Sequence, residues 1–147
     1  MSRTGHAIVL ALILVVISAS AVSAVKNDEY KIVPANEKTP STAITVLDSV
    51  RQGESDTHNI YIGSGVNWLE VNLDWTSSTD SLALTIYTPQ WGNLGTFHDN
   101  DDGITDGKIH LDVVPNQGYV ESGTWHFTVY GEQVASQRYY NLNVYQH

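Results

Sequence analysis

The chain has 147 residues, enough for one domain with a hydrophobic core, and its 16 acidic residues outnumber 7 lysines and arginines to give a formal net charge of −9. A surface this negative repels nucleic acid and anionic lipid, so the composition excludes both as partners. Cysteine is absent, and no disulfide can stabilise the fold.

The first 24 residues are typical of an export signal. Arg3 precedes an uninterrupted apolar run, AIVLALILVVI at residues 7–17, and small residues follow it, with Val22 and Ala24 at the third-last and last positions. The alternative is an uncleaved anchor, because the uncharged stretch at residues 7–24 reaches the short limit of a membrane-spanning helix. Either interpretation places the chain from residue 25 onward outside the cytoplasm, and a membrane would be contacted only through this segment.

Residues 25–42 are polar, contain two of the four prolines and show no period, which predicts a linker or a loosely docked arm. From residue 43 to residue 147 the pattern changes to a period of two, as in half-buried strands. Three segments, 67–76, 124–131 and 139–146, show it most clearly. Their predicted inward residues are Leu69, Val71, Leu73, Trp75, Trp125, Phe127, Val129, Tyr140, Leu142 and Val144.

Four further segments are rich in β-branched or aromatic residues and are separated by turn residues; they are residues 43–50, 57–63, 82–88 and 108–114. Outside the export signal no window of helical length keeps a helical apolar stripe. Seven or eight short strands, each with one apolar face, must bury those faces against one another. The sequence therefore predicts an all-β fold, an antiparallel β-sandwich or jelly-roll, over residues 43–147.

Three stretches resemble one known family. They are LEVNLDWTSSTDSLALTIYTPQWGNLG at residues 69–95, GKIHLDVV at 107–114 and GTWHFTVYGEQVASQRYYNLNV at 123–144. Together they are similar to the pre-peptidase C-terminal (PPC) domain family, and the resemblance runs from about residue 45 to residue 146. Its most specific parts are the run from Asp80 to Gly92, which contains Y-x-P-x-x-G, and the closing run from Gly123 to Val144.

The resemblance implies a small β-sandwich module of the kind that is usually appended to secreted proteases and other exported enzymes, where it aids secretion, localisation or substrate binding. It also implies that calcium is a candidate ligand, because some members of the family bind it. This chain departs from the family pattern in two respects: its 147 residues carry no enzyme domain, and Ala83 stands where many members have a second acidic residue. The second departure weakens the transfer of a metal site.

The stretch FHDNDDGITDGKIHLD at residues 97–112 is the main candidate for metal chemistry. It approximates the start of a calcium-binding loop, but His98 and Ile109 stand where that loop needs carboxylates. Four aspartates in a tight turn still offer the hard oxygen ligands that calcium prefers. The predicted ligands are Asp99, Asp101, Asp102 and Asp106. The alternative is a solvated turn in which Asp and Gly satisfy the backbone geometry.

Catalysis receives little support from the sequence. A small exported hydrolase of glycans or peptides would need two carboxylates with separated roles, whereas the aspartates of residues 99–112 share one exposed loop. His110 and Asp112 lie two residues apart on one predicted strand, but no nucleophile motif accompanies them. We therefore expect that the chain is not an enzyme, with the hydrolase as the alternative.

Aromatic residues are the candidate ligand-binding groups. Four Trp and eight Tyr are more than a core of this size requires. Outward-facing rings form platforms for sugar rings or protein contacts, and they also form cross-strand pairs that stabilise a sheet. The tyrosines on the outward phase of their strands are Tyr87, Tyr130, Tyr139 and Tyr145. Of the aromatic residues, Trp91, Tyr87 and Tyr130 are the predicted ligand-binding set, and Trp91 in the turn PQWGN is the strongest single candidate.

These patterns favour a non-catalytic, secreted or cell-surface module for binding, adhesion or envelope association. Calcium is its candidate cofactor, and a polysaccharide or protein of the cell envelope is its expected partner.

Overall fold

The computed structural model describes residues 28–35 and 42–147 of the chain. Strands and turns make up nearly all of these two ranges, which also contain a short 3-10 helix at Asp99–Asp102. The strands are β1 (Tyr30–Pro34), β2 (Ala43–Arg51), β3 (Ser55–Ile62), β4 (Leu69–Asp74), β5 (Ser81–Tyr87), β6 (Asn93–His98), β7 (Lys108–Pro115), β8 (Gly123–Gln133) and β9 (Gln137–Gln146).

The strands form two antiparallel sheets that pack face to face. The five-stranded sheet has the order β1-β7-β4-β9-β2, and the four-stranded sheet has the order β3-β8-β5-β6. β2 and β3 are edge strands of different sheets and are joined by a short turn, so the chain passes from one sheet to the other at that side. The predicted all-β antiparallel sandwich is confirmed.

The core lies between the sheets and is built from the inward phase of the alternating strands. Trp75 and Trp125 are only 1% and 0% exposed, as the sequence predicts. Their indole N–H groups donate to the backbone carbonyls of Asp80 at 3.0 Å and Glu121 at 2.9 Å. Both large rings are therefore buried without leaving a polar group unsatisfied.

The structure has nine strands in its described residues, whereas the sequence predicts seven or eight. The two that were not predicted are β1, which lies in the predicted linker or arm at residues 25–42, and β6. Tyr30–Pro34 pair with residues 111–115 of β7, and Tyr30 meets Trp125 edge-on with ring centroids 5.3 Å apart. In β6 the alternation is broken by Gly95, at φ 134°, and by a register shift opposite β5. Short edge strands contain too few residues to show a clear period.

The predicted export signal at residues 1–24 lies outside the described residues, as do residues 25–27 and 36–41 of the predicted linker. Within the part of the chain that is described, no helix has the length and apolar character needed to cross a membrane.

Candidate functional site: the aromatic face of the four-stranded sheet

The outer surface of the four-stranded sheet, called the aromatic face below, gathers several exposed rings. Strand alternation points every second residue of β3, β5 and β8 to this side, away from the core. The polar and aromatic residues that define it are Asn59, Tyr61, Tyr87, Trp91, His126 and Tyr130, with Thr57, Thr85, Thr96 and Thr128.

Trp91 lies in the tight turn between β5 and β6. Its N–H donates to the Thr88 carbonyl at 2.9 Å, and the Thr88 N–H donates to the Gly92 carbonyl at 2.9 Å. The buried Thr88 hydroxyl accepts the Gly92 N–H at 3.0 Å. These bonds hold Trp91 at φ 62°, a left-handed conformation that costs a bulky residue roughly 1–2 kcal/mol. The turn therefore fixes an indole that is 59% exposed.

His126 of β8 supports this indole from below. The two rings are stacked, with centroids 3.6 Å apart and an interplanar angle of 8°. His126 is only 8% exposed although it lies on the outer face, and its Nδ1 is 2.6 Å from Oδ1 of its cross-strand neighbour Asn59. Tyr87 flanks Trp91 with ring centroids 5.7 Å apart. One face of the indole is thus fixed by protein, and the exposed fraction lies on the other.

A row of threonines crosses the sheet beside these rings. Thr57 is paired with Thr128, Thr128 with Thr85, and Thr85 with Thr96, so all four strands contribute one hydroxyl group. The hydroxyls are linked two by two, Thr57 to Thr128 at 2.9 Å and Thr85 to Thr96 at 2.8 Å. The aromatic face therefore combines rings with an ordered line of groups that both donate and accept hydrogen bonds.

Tyr130 and Tyr61 lie on opposite sides of Trp91 along the strand direction. Tyr130 is four residues beyond His126 on β8, about 13 Å at the usual strand rise, and is 39% exposed. Tyr61 is 66% exposed and is paired with Thr124, two residues before His126. The structure thus brings the three predicted ligand-binding residues to one face, while their role in binding stays a prediction.

Sequence reasoning did not include His126, Asn59, Tyr61 or the four threonines in the candidate site. His126 and Tyr61 are on the outward phase of strands that were predicted, so alternation places them outside. One cross-strand row contains Asn59, His126 and Tyr87. This row depends on strand order and register, which a single sequence does not specify.

The acidic loop is organised around a buried carboxylate. Asp99 is 5% exposed, and its oxygens accept the backbone N–H groups of Asp106 at 3.1 Å, Gly107 at 3.0 Å and Lys108 at 3.4 Å. A carboxylate with several N–H donors fixes the course of the chain it binds. Asp99 therefore joins the 3-10 helix to the start of β7.

Two more of the predicted calcium ligands also accept backbone N–H groups. Asp101 accepts from His98 at 2.7 Å, and Asp102 accepts from Ile104 at 2.9 Å. Within residues 28–35 and 42–147, no group of three His, Cys, Asp or Glu side chains is arranged to hold a metal ion. Calcium binding by Asp99, Asp101, Asp102 and Asp106 stays a prediction.

His110 is bonded to Glu70 on the neighbouring strand β4. Its Nε2 lies 2.8 Å from Oε1 of Glu70, and the other oxygen of Glu70 lies 2.9 Å from Nε2 of His147. Glu70 is 4% exposed because the two imidazoles cover it, and His147 is itself stacked on Trp68 with centroids 4.5 Å apart. This arrangement satisfies a buried carboxylate on the outer face of the five-stranded sheet.

Negative charge is concentrated where β2 and β3 join the two sheets. Burial raises the pKa of Asp56, and the carboxylates of Asp48 and Glu54 raise it further. Burial also raises the pKa of the Tyr140 phenol, and the same acidic neighbours add to the shift. The Tyr140 hydroxyl lies 2.7 Å from Nε2 of His58. These charges lie at the edge of the sandwich, away from the middle of the aromatic face.

The fold and these contacts define a β-sandwich module that gathers several exposed rings on one sheet face and whose buried Asp99 and Glu70 carboxylates bond to groups of the same chain. The chain belongs to the bacterial pre-peptidase C-terminal domain family, which matches residues 54–131. Domains of this family are non-catalytic modules.

Two solved structures are similar to this chain to different degrees. The CspB protease of Clostridium perfringens superposes with a TM-score of 0.53 at 11% identity, over 69% of this chain and 25% of the protease. PliG of Aeromonas hydrophila, a periplasmic inhibitor of g-type lysozyme, gives a TM-score of 0.44 at 17% identity, over 78% of this chain and 95% of the inhibitor. This chain thus spans about a quarter of the protease, and at such identity the likeness to it concerns the fold alone. A search of curated proteins found no match.

Proposed function

We propose that this chain is an exported, non-catalytic binding module that attaches to a polysaccharide or protein of the cell envelope through its aromatic face. The observation that carries the proposal is the Trp91 indole, which is 59% exposed yet held by a strained turn and a stacked imidazole. Exposed aromatic surface that is rigid loses little entropy when a ligand binds it.

Export is supported by the family and by the sequence. Domains of the family occur in secreted proteins. The first 24 residues carry the basic start, apolar run and small residues of an export signal. The formal net charge of −9 disfavours binding to nucleic acid, and therefore directs the proposal toward sugars and proteins.

The proposal is tested by retention on a cell-envelope fraction. We expect the purified protein to sediment with the fraction, and the Trp91→Ala variant to lose most of that retention. Tyr139→Ala is the matched control, because Tyr139 is 71% exposed but lies on the five-stranded sheet, paired with Ser49. Equal retention of the parent and Trp91→Ala would overturn the proposal, as would turnover of glycan or peptide substrates by the parent protein.

Calcium stabilisation of the acidic loop forms a separate part of the proposal. A cation that binds the native state alone stabilises it by mass action, about 2.7 kcal/mol when its free concentration is a hundredfold above the dissociation constant. We expect calcium to raise the melting temperature more than magnesium, which demands a tighter octahedron. Equal shifts of the melting temperature by calcium, magnesium and sodium at matched ionic strength would mean that the ions only screen the charge of the loop, and would contradict calcium binding.

A further inference from the structure

We propose that the ligand of the aromatic face is a neutral polysaccharide, whose sugar rings stack on Trp91 and whose hydroxyl groups bond to the threonine row. This inference rests on the proposed function and names one ligand class out of the two that it leaves open. It follows from the charge, the ring geometry and the hydrogen-bonding groups of the face.

The middle of the aromatic face is uncharged in a strongly acidic chain. Its two central rows contain no Asp, Glu, Lys or Arg among the described residues; they are Asn59, His126, Tyr87 and Asn93, and Thr57, Thr128, Thr85 and Thr96. The nearest carboxylate along β8 is that of Glu132, two residues beyond Tyr130, and it lies 3.1 Å from Nδ1 of His98, which shares the row of Ala83 and Tyr130. A polyanion or a polycation finds no opposite charge at this surface, whereas a neutral ligand needs none.

The geometry of Trp91 suits a flat, rigid ligand ring. The His126 imidazole covers one face of the Trp91 indole, with ring centroids 3.6 Å apart. This stacking keeps the indole parallel to the imidazole and leaves its other face for a ligand. The C–H groups on one face of a sugar ring form an apolar surface that packs on an aromatic face. Because the indole is already immobilised, this contact costs little side-chain entropy.

The threonine row suits the hydroxyl groups of the same ligand. Within each bonded pair one hydroxyl donates to the other, which leaves the second hydrogen and the remaining lone pairs for a ligand. A sugar hydroxyl likewise donates and accepts. The rings alone would also suit a protein partner, because Trp and Tyr are enriched among the residues that dominate protein–protein binding. Threonine is under-represented among those residues, so it is the threonine row that favours the sugar.

The length of the face favours a chain of linked sugars over a single sugar. Trp91 lies above His126, and Tyr130 lies about 13 Å further along β8, with the threonine row between them. A ligand that contacts both rings must extend across that row. The inference is therefore a polysaccharide, with Asn59 and His126 as the residues that position Trp91.

Native affinity electrophoresis in gels with and without a soluble polysaccharide tests the inference. The neutral probes are hydroxyethyl cellulose, arabinoxylan and galactomannan, and carboxymethyl cellulose is the anionic counterpart of the first. We expect at least one neutral probe to retard the full-length protein. If hydroxyethyl cellulose retards it, carboxymethyl cellulose should retard it less. Retardation by none of the neutral probes, or by the anionic probe alone, overturns the inference.

Matched variants identify the surface. Trp91→Ala should weaken binding to the retarding probe by at least about tenfold, the loss expected for one good stacking contact. The near-isosteric double variant Thr57→Val and Thr96→Val should also weaken binding to this probe, because it removes two hydroxyl groups. Binding to an apolar protein surface would instead become stronger. Tyr139→Ala should bind as the parent does. Melting curves for each variant establish that the fold is retained, and a folded Trp91→Ala that binds as tightly as the parent contradicts the inference.

The outcome separates the inference from the proposed function. If neutral polysaccharides fail while envelope retention still depends on Trp91, the ligand is not a neutral sugar chain and only the inference is wrong. If envelope retention is also independent of Trp91, both are wrong.

Discussion

The Trp91 indole and the His126 imidazole are parallel to within 8°, with centroids 3.6 Å apart, although the residues lie on different segments of the chain. A residue from β8 thus sets the orientation of a residue in the β5–β6 turn. The Asn59 amide of β3, 2.6 Å from His126, extends this support to a third segment. The exposed ring is positioned by the whole sheet, since three segments must be in register for the contact to form.

Replacing His126 should loosen Trp91 and leave the fold intact. Stacked ring pairs contribute about 0.5–1.5 kcal/mol, so we expect His126→Ala to lower the melting temperature only modestly. Trp91 is the most exposed of the four tryptophans, and its fluorescence should become more accessible to acrylamide. Quenching that is unchanged from the parent would show that the imidazole does not restrain the indole.

Truncation of Trp125 should be far more costly. The ring is fully buried, meets Tyr30 edge-on and donates its N–H to the Glu121 carbonyl. Truncating a buried aromatic ring typically costs about 3–5 kcal/mol, a large part of the stability of a domain. Chemical denaturation of Trp125→Ala beside Tyr139→Ala measures the difference. A Trp125→Ala midpoint as high as that of the control would mean that β1 and β8 pack differently.

The sandwich was predictable because β4, β8 and β9 alternate cleanly between apolar and polar residues. Their inward residues are buried in the structure, including Leu73, Trp125 and Leu142. β1 and β6 were missed, because one lies in a polar segment and the other is broken at Gly95. Residue-level alternation therefore reveals long central strands better than short edge strands.

The candidate site was predictable only in part. Outward phase and turn position indicated Trp91, Tyr87 and Tyr130 one by one. Their shared face, and the support of Trp91 by His126, arise from the pairing of β3, β5 and β8, which local patterns do not encode. The burial of Asp99 is another such case, since its N–H donors follow it by seven to nine residues.

Asp99 should be the aspartate on which the acidic loop depends, with or without a metal ion. Asp99→Ala removes the acceptor of three backbone N–H groups, one of them on the buried Gly107. Hydrogen bonds to charged groups contribute about 1.5–3 kcal/mol, so we expect a loss of about 3 kcal/mol in the presence of EDTA. Asp102→Ala is the control, because that exposed side chain accepts only the Ile104 N–H. Equal melting temperatures for the two variants in EDTA would contradict this assignment.

Asp56 should destabilise the protein at neutral pH. Its folded-state pKa is raised, so the folded state holds the proton more tightly than the unfolded state does. Protonation of Asp56 therefore stabilises the folded state. This stabilisation is complete below the usual aspartate pKa, about 4, and is lost as the pH rises through the raised pKa of Asp56 in the folded state. We expect Asp56→Asn to melt above the parent at pH 7 and close to it at pH 3.

The control for this pH effect is Asp28→Asn, which removes one exposed negative charge elsewhere. If both variants gain the same stability at pH 7, the gain comes from lower net charge and not from the surroundings of Asp56.

The central claim is that the aromatic face is the ligand-binding surface. Hydrogen–deuterium exchange, measured with and without a solubilised envelope extract that binds the protein, tests it most directly. The account predicts slower exchange in peptides that contain residues 85–96 and 124–130, with no change in residues 99–106 or on the outer side of the five-stranded sheet. Protection confined to residues 99–106 or to the five-stranded sheet would contradict it.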